Sequence, residues 1–326
     1  MNLRNKIAAL KAIVKVKLFS KRIPFIISWH LVNRCNRKCK YCFRWSVPCK
    51  ELTTQQVKSI INDFAKTGTR IIIFSGGEPL LRDDIGEIIN FCRSKNIFTG
   101  LASNGLLVPM KIKEIKNLNI LKLSLDGPKE VNDFLRGDGS YDDVMTAVEL
   151  GKRHGLKIKF NTTLSKYNLE YIDFILQKAK ELDVGVKFQP LSYVHACDQN
   201  IDSLLPGEKE YKDVMKRLIY LKKSNKYIIN SLFALDYLYN WPNYKKLECC
   251  GGRIICCISP NGYLYPCTML MEKVNALNCF DISCKEAINH LTNFPCKGCW
   301  CTSTLDLNCL MTLRQHAVLN FKRLFA

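Results

Sequence analysis

No stretch of the sequence reaches the roughly 18 apolar residues that a membrane-crossing helix needs, and its first 50 residues contain no acidic side chain. Lys6, Lys11, Lys15 and Lys17 interrupt every apolar run near the N-terminus, so the apolar core of a secretory signal peptide is missing too. Together these absences exclude a membrane-spanning helix and set the expectation of a cytoplasmic protein. Signs of disorder are also lacking. Hydrophobic residues make up 47% and charged ones 24%, an ordinary globular composition able to bury a sizeable core. A chain of 326 residues suits one large α/β domain of the barrel type plus a small appendage.

Cysteine, by contrast, is abundant, with 17 residues. In a reducing compartment, clustered cysteines bind metal or do redox chemistry more often than they form bridges. Positive charge is also in excess and unevenly placed: the net charge is +20, and thirteen Lys or Arg precede Glu51, the first acid. Over residues 1–22, Leu3, Ile7, Leu10, Val14 and Leu18 recur at helical spacing, with Arg4, Lys11, Lys15 and Arg22 off that stripe. A basic amphipathic helix of this kind predicts one of two arrangements. It faces outward, to an anionic membrane surface that makes the protein peripheral at the inner membrane face or to an acidic partner, or it packs its stripe on the protein's own barrel.

From residue 23 to 191, short apolar runs alternate with amphipathic helical patterns. Strands are expected at 23–32, 70–76, 98–105, 121–127, 157–165 and 185–191, and helices near 53–67, 83–95, 109–117, 140–155 and 169–183. Thr53 and Thr54 supply an N-cap for the first helix. Six β/α repeats in series imply a parallel sheet with right-handed crossovers, either open or closed into a barrel. Polar and Gly-rich residues follow the strands, which marks the functional rim of such a fold. Residues 192–247 read as a helical bridge and 248–311 as a small Cys-rich α+β domain. A basic amphipathic helix over 312–326 closes the chain.

Directly after the first strand, CNRKCKYC places Cys35, Cys39 and Cys42 in a C-x3-C-x2-C spacing. Three thiolates on one loop can hold three irons of a cubane cluster that normally takes four cysteines, leaving one iron free. Zinc fits less well, because a structural zinc wants four ligands and His30 precedes the loop on the strand.

With SGGEP at 75–79 and SLDG at 124–127, this segment resembles the radical S-adenosylmethionine (SAM) superfamily over residues 20–191, which implies a partial (β/α)6 TIM-like barrel there. The resemblance implies a [4Fe–4S] cluster on Cys35, Cys39 and Cys42, with SAM chelating the free iron. Tyr41 precedes the last cysteine as the family usually has it, and the main chain at Phe43 would meet the adenine. Gly76, Gly77, Glu78 and Pro79 match the motif that binds the methionine amino group. Ser103 and Asn104 fall where relatives contact the methionine end, and Ser124 and Asp126 where ribose or carboxylate is held. Asn161 falls near the ribose. NDFLRG at 132–137 resembles a family stretch that begins with His; Asn132 stands in its place, while Arg136 suits the SAM carboxylate. The implied reaction is reductive cleavage of SAM to a 5′-deoxyadenosyl radical, which takes a hydrogen atom from the substrate. An external one-electron donor such as flavodoxin or ferredoxin is implied with it.

A second cysteine field begins at Cys249. The spacing from Cys249 through Gly262 to Cys267, C-x12-G-x4-C, resembles the opening of SPASM or twitch domains, which carry auxiliary iron–sulfur clusters. Cys296, Cys299, Cys301 and Cys309 follow, departing from the usual SPASM run after Cys299. One auxiliary cluster, held by Cys249, Cys267 and some of those four, is expected; a zinc site is the alternative. Cys250, Cys256 and Cys257 read as ligands or as core residues, and Cys49, Cys92, Cys197, Cys279 and Cys284 as core. SPASM-type enzymes most often modify peptides, so a peptide or protein substrate is expected first, with a lipid, isoprenoid or cofactor precursor as the alternative. A zinc-dependent nucleic-acid-binding protein would suit the basic charge. It gives no account of SGGEP or SLDG at strand ends, so nucleic acid is not an expected partner.

Overall fold

Six parallel strands joined by helices organise residues 26–190 of the computed structural model, which describes residues 3–192, 200–243, 247–291, 296 and 298–311. The strands are β1 (Ile26–Val32), β2 (Ile71–Gly76), β3 (Phe98–Ser103), β4 (Ile120–Ser124), β5 (Lys157–Leu164) and β6 (Gly185–Pro190). Helix α1 (Leu3–Phe19) precedes them; α2 (Thr54–Thr67), α3 (Ile85–Ser94), α4 (Val108–Lys111), α5 (Lys129–Arg136), α6 (Ser140–Arg153) and α7 (Ile172–Glu181) lie between. Each strand pairs with its sequence neighbour. Thr53 caps α2 in a reciprocal box with Gln56, and Gly68 ends that helix at φ +108. The helix expected over 109–117 shortens to the four residues of α4, and α5 is one the sequence pattern did not announce.

Helices α8 (Glu208–Lys222) and α9 (Leu232–Leu238) follow, and then the chain returns to β1. Strand β7 (Ile255–Ile258) pairs in parallel with β1, from Ile26↔Ile255 to Trp29↔Ile258. β8 (Tyr263–Tyr265) and β9 (Leu277–Asn278) continue antiparallel. The small C-terminal domain therefore extends the barrel sheet to nine strands in the order β6-β5-β4-β3-β2-β1-β7-β8-β9. Helices α10 (Cys284–His290) and α11 (Thr302–Met311) complete it, with α11 lying against β6, α9 and α1. Residues 312–326 and Cys197 lie outside the described residues.

The alternation along β4, β5 and β6 defines two faces of the sheet. Leu121, Leu123, Ile158, Phe160, Val186 and Phe188 are buried in the main core. Burying side chains of this size contributes about 1.5–3 kcal/mol each. The intervening positions, among them Lys122, Ser124, Lys159, Asn161, Lys187 and Gln189, are only half-buried and line the lumen.

Helix α1 packs on the barrel, but not through the stripe that the sequence pattern marked. It docks through Ala9, Ala12, Ile13 and Val16, which cluster with Phe25, Ile26, Ile71 and Ile255. Small residues on that face let the helix approach closely. Its apolar stripe points away instead, with Ile7 48%, Leu10 56%, Val14 42% and Leu18 71% exposed.

Candidate active site

The loop after β1 carries Cys35, Cys39 and Cys42, all half-buried and unbridged. Its shape is set by the turn after β2. Gly77 N donates to Val32 O at 2.8 Å, and Glu78 N donates to Arg34 O at 3.0 Å. A Cβ on Gly76 would lie 2.1 Å from Val32 O, and one on Gly77 2.1 Å from Arg34 O. The paired glycines of SGGEP are thus what lets this turn press against the cysteine loop. Inside the loop, Cys42 N donates to Cys39 O at 3.0 Å and Trp45 Nε1 to Cys42 O at 2.9 Å.

Two buried carboxylates brace this arrangement. Glu78 has no exposed surface, and burial pushes its pKa up to about 7. It accepts from Leu80 N at 3.1 Å, Ser103 Oγ at 3.1 Å and Asn104 N at 2.8 Å. Asn104 Nδ2 in turn donates to Asn36 Oδ1 at 2.7 Å and lies 3.9 Å from Cys35 Sγ. The side chains of Ser103 and Asn104 therefore link the end of β3 to the cysteine loop. Asp126, equally buried, accepts from Tyr41 OH at 2.6 Å, Arg136 Nε at 2.7 Å and Thr163 N at 2.9 Å. The Arg136 guanidinium also lies over the Tyr41 ring, 5.4 Å from its centroid, and this buried ion pair keeps it charged. Asn132, where the resembling stretch has His, accepts from Asp126 N at 2.8 Å and donates to Ser140 Oγ at 2.8 Å.

Other expected contacts divide between free and engaged groups. Ser124 and Asn161 are register partners on β4 and β5, half-buried on the lumen face, with side chains that make no hydrogen bond among the described residues. The outer nitrogens of Arg136 are likewise unpaired among the described residues. The carbonyl of Phe43 already accepts from Ser46 N and Oγ, which leaves its amide for a ligand. Pro79 is buried at the start of a short 3-10 turn.

The cysteine loop fits an iron–sulfur cluster. Burial pushes the Cys35 thiol up to about 12, with Glu78 and the neighbouring Cys39 and Cys42 adding to the effect, so the three sulfurs lie within electrostatic reach of each other. Such thiols keep their protons until a soft cation displaces them. Asn36 Nδ2 is a buried donor with no partner beside Cys35. Among the described residues no three His, Cys, Asp or Glu groups close on one point as a single ion requires. A cubane has an iron at each corner and takes its thiolates further apart.

In the second field, burial raises the thiols of Cys267 and Cys299, and Cys301 and Cys249 add to both, which places four sulfurs in one neighbourhood. Gly251 N donates to Cys249 Sγ at 3.3 Å. Gly262, at φ +93, makes the turn that leads into β8, and a Cβ there would meet Asn278 Oδ1 at 2.7 Å. Cys296 is exposed, with Cys249 as its charged neighbour among the described residues, while Cys309 is buried on α11. Cys250, Cys256 and Cys257 are buried, the last with Met271 Sδ at 4.0 Å. Cys92, Cys279 and Cys284 sit in the main core, and Cys49 is half-buried.

Sequence reasoning missed the lumen cations. Lys122, Lys159 and Lys187 occupy alternate positions on successive strands. Period-2 spacing in three adjacent strands was the available signal.

The sequence profile of the Radical SAM superfamily matches residues 29–179. The AdoMet-dependent heme synthase of Methanosarcina barkeri is 29% identical over 272 residues, which is 76% of this chain and 77% of that protein. Mycofactocin maturase MftC of Mycolicibacterium smegmatis is 26% identical over 253 residues, 75% of this chain and 64% of that one. Among solved structures, Streptococcus suis SuiB bound to precursor peptide SuiA aligns with a TM-score of 0.66 at 17% identity, covering 88% of this chain and 69% of that one. At that identity the likeness is one of fold.

Proposed function

The chain belongs to the radical SAM superfamily, and from that premise we propose that it modifies a peptide or protein substrate inside its barrel. The observation that carries this reading is the loop on which Cys35, Cys39 and Cys42 gather, clamped by the glycine turn at Gly76 and Gly77. When bound, the [4Fe–4S] cluster supplies the electron that cleaves SAM, and the 5′-deoxyadenosyl radical so formed takes a hydrogen atom from the substrate.

The chain's own residues would then act as follows. The backbone of Gly76–Pro79 would hold the methionine amino group, and the free outer nitrogens of Arg136 would suit its carboxylate. Ser124 and Asn161 offer unengaged side chains to the ribose. The amide of Phe43 would meet the adenine, with Tyr41 beside it braced on Asp126. Glu78, Ser103, Asn104 and Asp126 act as positioning residues, because the groups with which they would touch SAM are already committed to the cysteine loop or its braces. Cys249, Cys267, Cys299 and Cys301 would hold the auxiliary cluster, and a flavodoxin or ferredoxin would deliver the electron.

A peptide substrate is supported by the fold shared with SuiB, solved with a precursor peptide. The likeness to a heme synthase, over 77% of that protein, favours a cofactor precursor as second reading. The exposed stripe of α1 beside Lys11 and Lys15 supports contact with an anionic membrane surface. Leu10→Ser with Val14→Ser and Leu18→Ser leaves the docked face intact, and it should release the protein from anionic vesicles in a sedimentation assay. Equal sedimentation of both forms would remove the membrane from the account. Anaerobically reconstituted protein, reduced with dithionite, should release 5′-deoxyadenosine from SAM. Iron-loaded protein that releases none would defeat the reading.

A further inference from the structure

We infer that the part of the lumen walled by β4, β5 and β6 binds carboxylate groups of the substrate through Lys122 and Lys159, beside the ion-paired Lys187. This rests on the reading above, that the lumen receives the substrate, and it gives that substrate a chemistry.

Barrel interiors are ordinarily filled by branched aliphatic side chains. Here three consecutive strands each place a lysine at a lumen position. Lys122 and Lys159 are direct register partners. Lys187 stands one layer nearer the strand ends, level with Asn161 and Ser124. The cations thus lie one layer below, and beside, the positions proposed for the ribose, where a hydrogen atom would be taken.

Among the described residues the wall has too little negative charge to balance it. Asp306 on α11, 2% exposed, meets Lys187 Nζ at 2.7 Å and accepts from Ser231 N at 3.0 Å. Lys122 and Lys159 have no acidic partner among the described residues. Burial and the neighbouring lysines push Lys122 down to about 7 and Lys159 down to about 8. Placing like charges together in a low-dielectric interior is costly, and an arriving anion offsets that cost.

A competing account makes the lysines counter-charges for the auxiliary thiolates. Cys301 is a charged neighbour of Lys122, whereas the Lys159 environment is set by burial, Lys187 and Lys157. That account leaves Lys159 unexplained, since Lys187 already has Asp306.

The carboxylates could be acidic side chains of a peptide or the propionates of a tetrapyrrole. The test uses reconstituted holoenzyme with SAM, as wild type and as Lys122→Met with Lys159→Met; Lys187 is left in its ion pair. The probes are coproporphyrin III against its tetramethyl ester, and a Glu-rich decapeptide against its Gln counterpart. Wild type should bind at least one acid tenfold or more tighter than its neutral counterpart, and which acid does so identifies the source. The double variant should lose that preference while keeping its iron content and its SAM affinity. The inference is overturned if neither acid is preferred, or if the variant keeps the preference. It is overturned as well if the variant loses auxiliary iron, since the lysines would then serve the thiolates. Absence of 5′-deoxyadenosine from wild type, with the acid preference intact, would count against the proposed reaction and not against this site.

Discussion

The two cysteine fields are built in opposite ways. The first lies wholly between residues 35 and 42, and buried polar groups from the ends of β2, β3 and β4 hold it in shape. The second draws Cys249, Cys267, Cys299 and Cys301 from separate segments and depends on β7 pairing with β1. A site on one loop can be shaped by a few hydrogen bonds. A site assembled from distant segments inherits its geometry from the fold, so damage to the braces and damage to the core should separate the two.

The largest effect short of removing ligands should come from Arg136→Ala. It strands Asp126 as a buried carboxylate without its cation, a loss of about 3–5 kcal/mol. Chemical denaturation should show that loss, and SAM affinity should fall with it. Unchanged stability would mean that the Asp126 brace does not hold the first field. Tyr41→Phe removes one donor to the same carboxylate and should cost about 1.5–3 kcal/mol, read in the same way. If it instead lowered auxiliary iron alone, the two fields would not be independent. Gly77→Ala forces a methyl group against Arg34 O, and overpacking of this kind costs about 1–3 kcal/mol. Cluster loading on Cys35, Cys39 and Cys42 should drop while the second field keeps its iron.

Glu78 adds a pH dependence. Its folded pKa, up to about 7, lies above the usual carboxylate value, so the folded state holds its proton more tightly. Protonation of Glu78 therefore stabilises the fold below the ordinary carboxylate range, and that contribution is lost as pH rises toward 7. Glu78→Gln should flatten the stability profile of the apoprotein over that window. A profile unaltered by the substitution would show that Glu78 does not titrate there. The smallest effect belongs to Cys92→Ala. This thiol sits in the main core, so the change should cost about 1 kcal/mol and leave iron content untouched.

What could be read from the sequence follows the same division. The strand–loop–helix order and the first cysteine triad were legible because each is local: apolar runs of strand length, and three thiols within one loop. The braces were not. Asp126 and Glu78 appeared in motifs, but their partners come from elsewhere (Tyr41 from the cysteine loop, Arg136 from the end of α5, Ser103 and Asn104 from the end of β3), and no spacing announces that the carboxylates are spent on the protein itself. Helix α1 shows a different limit. Its large apolar residues formed the visible stripe, yet the docked face uses Ala9 and Ala12, since close approach to the strands favours small side chains. The four-thiol grouping in the second field required the pairing of β7 with β1, which no local pattern encodes.

The central claim is that Cys35, Cys39 and Cys42 form the catalytic cluster site, independent of the later cysteines. It is tested most directly by measuring 5′-deoxyadenosine from the variant with all three changed to Ala, after anaerobic reconstitution and reduction. The account predicts no 5′-deoxyadenosine above background, from folded protein that still carries the iron of the second field. Continued formation of 5′-deoxyadenosine by that variant would contradict it.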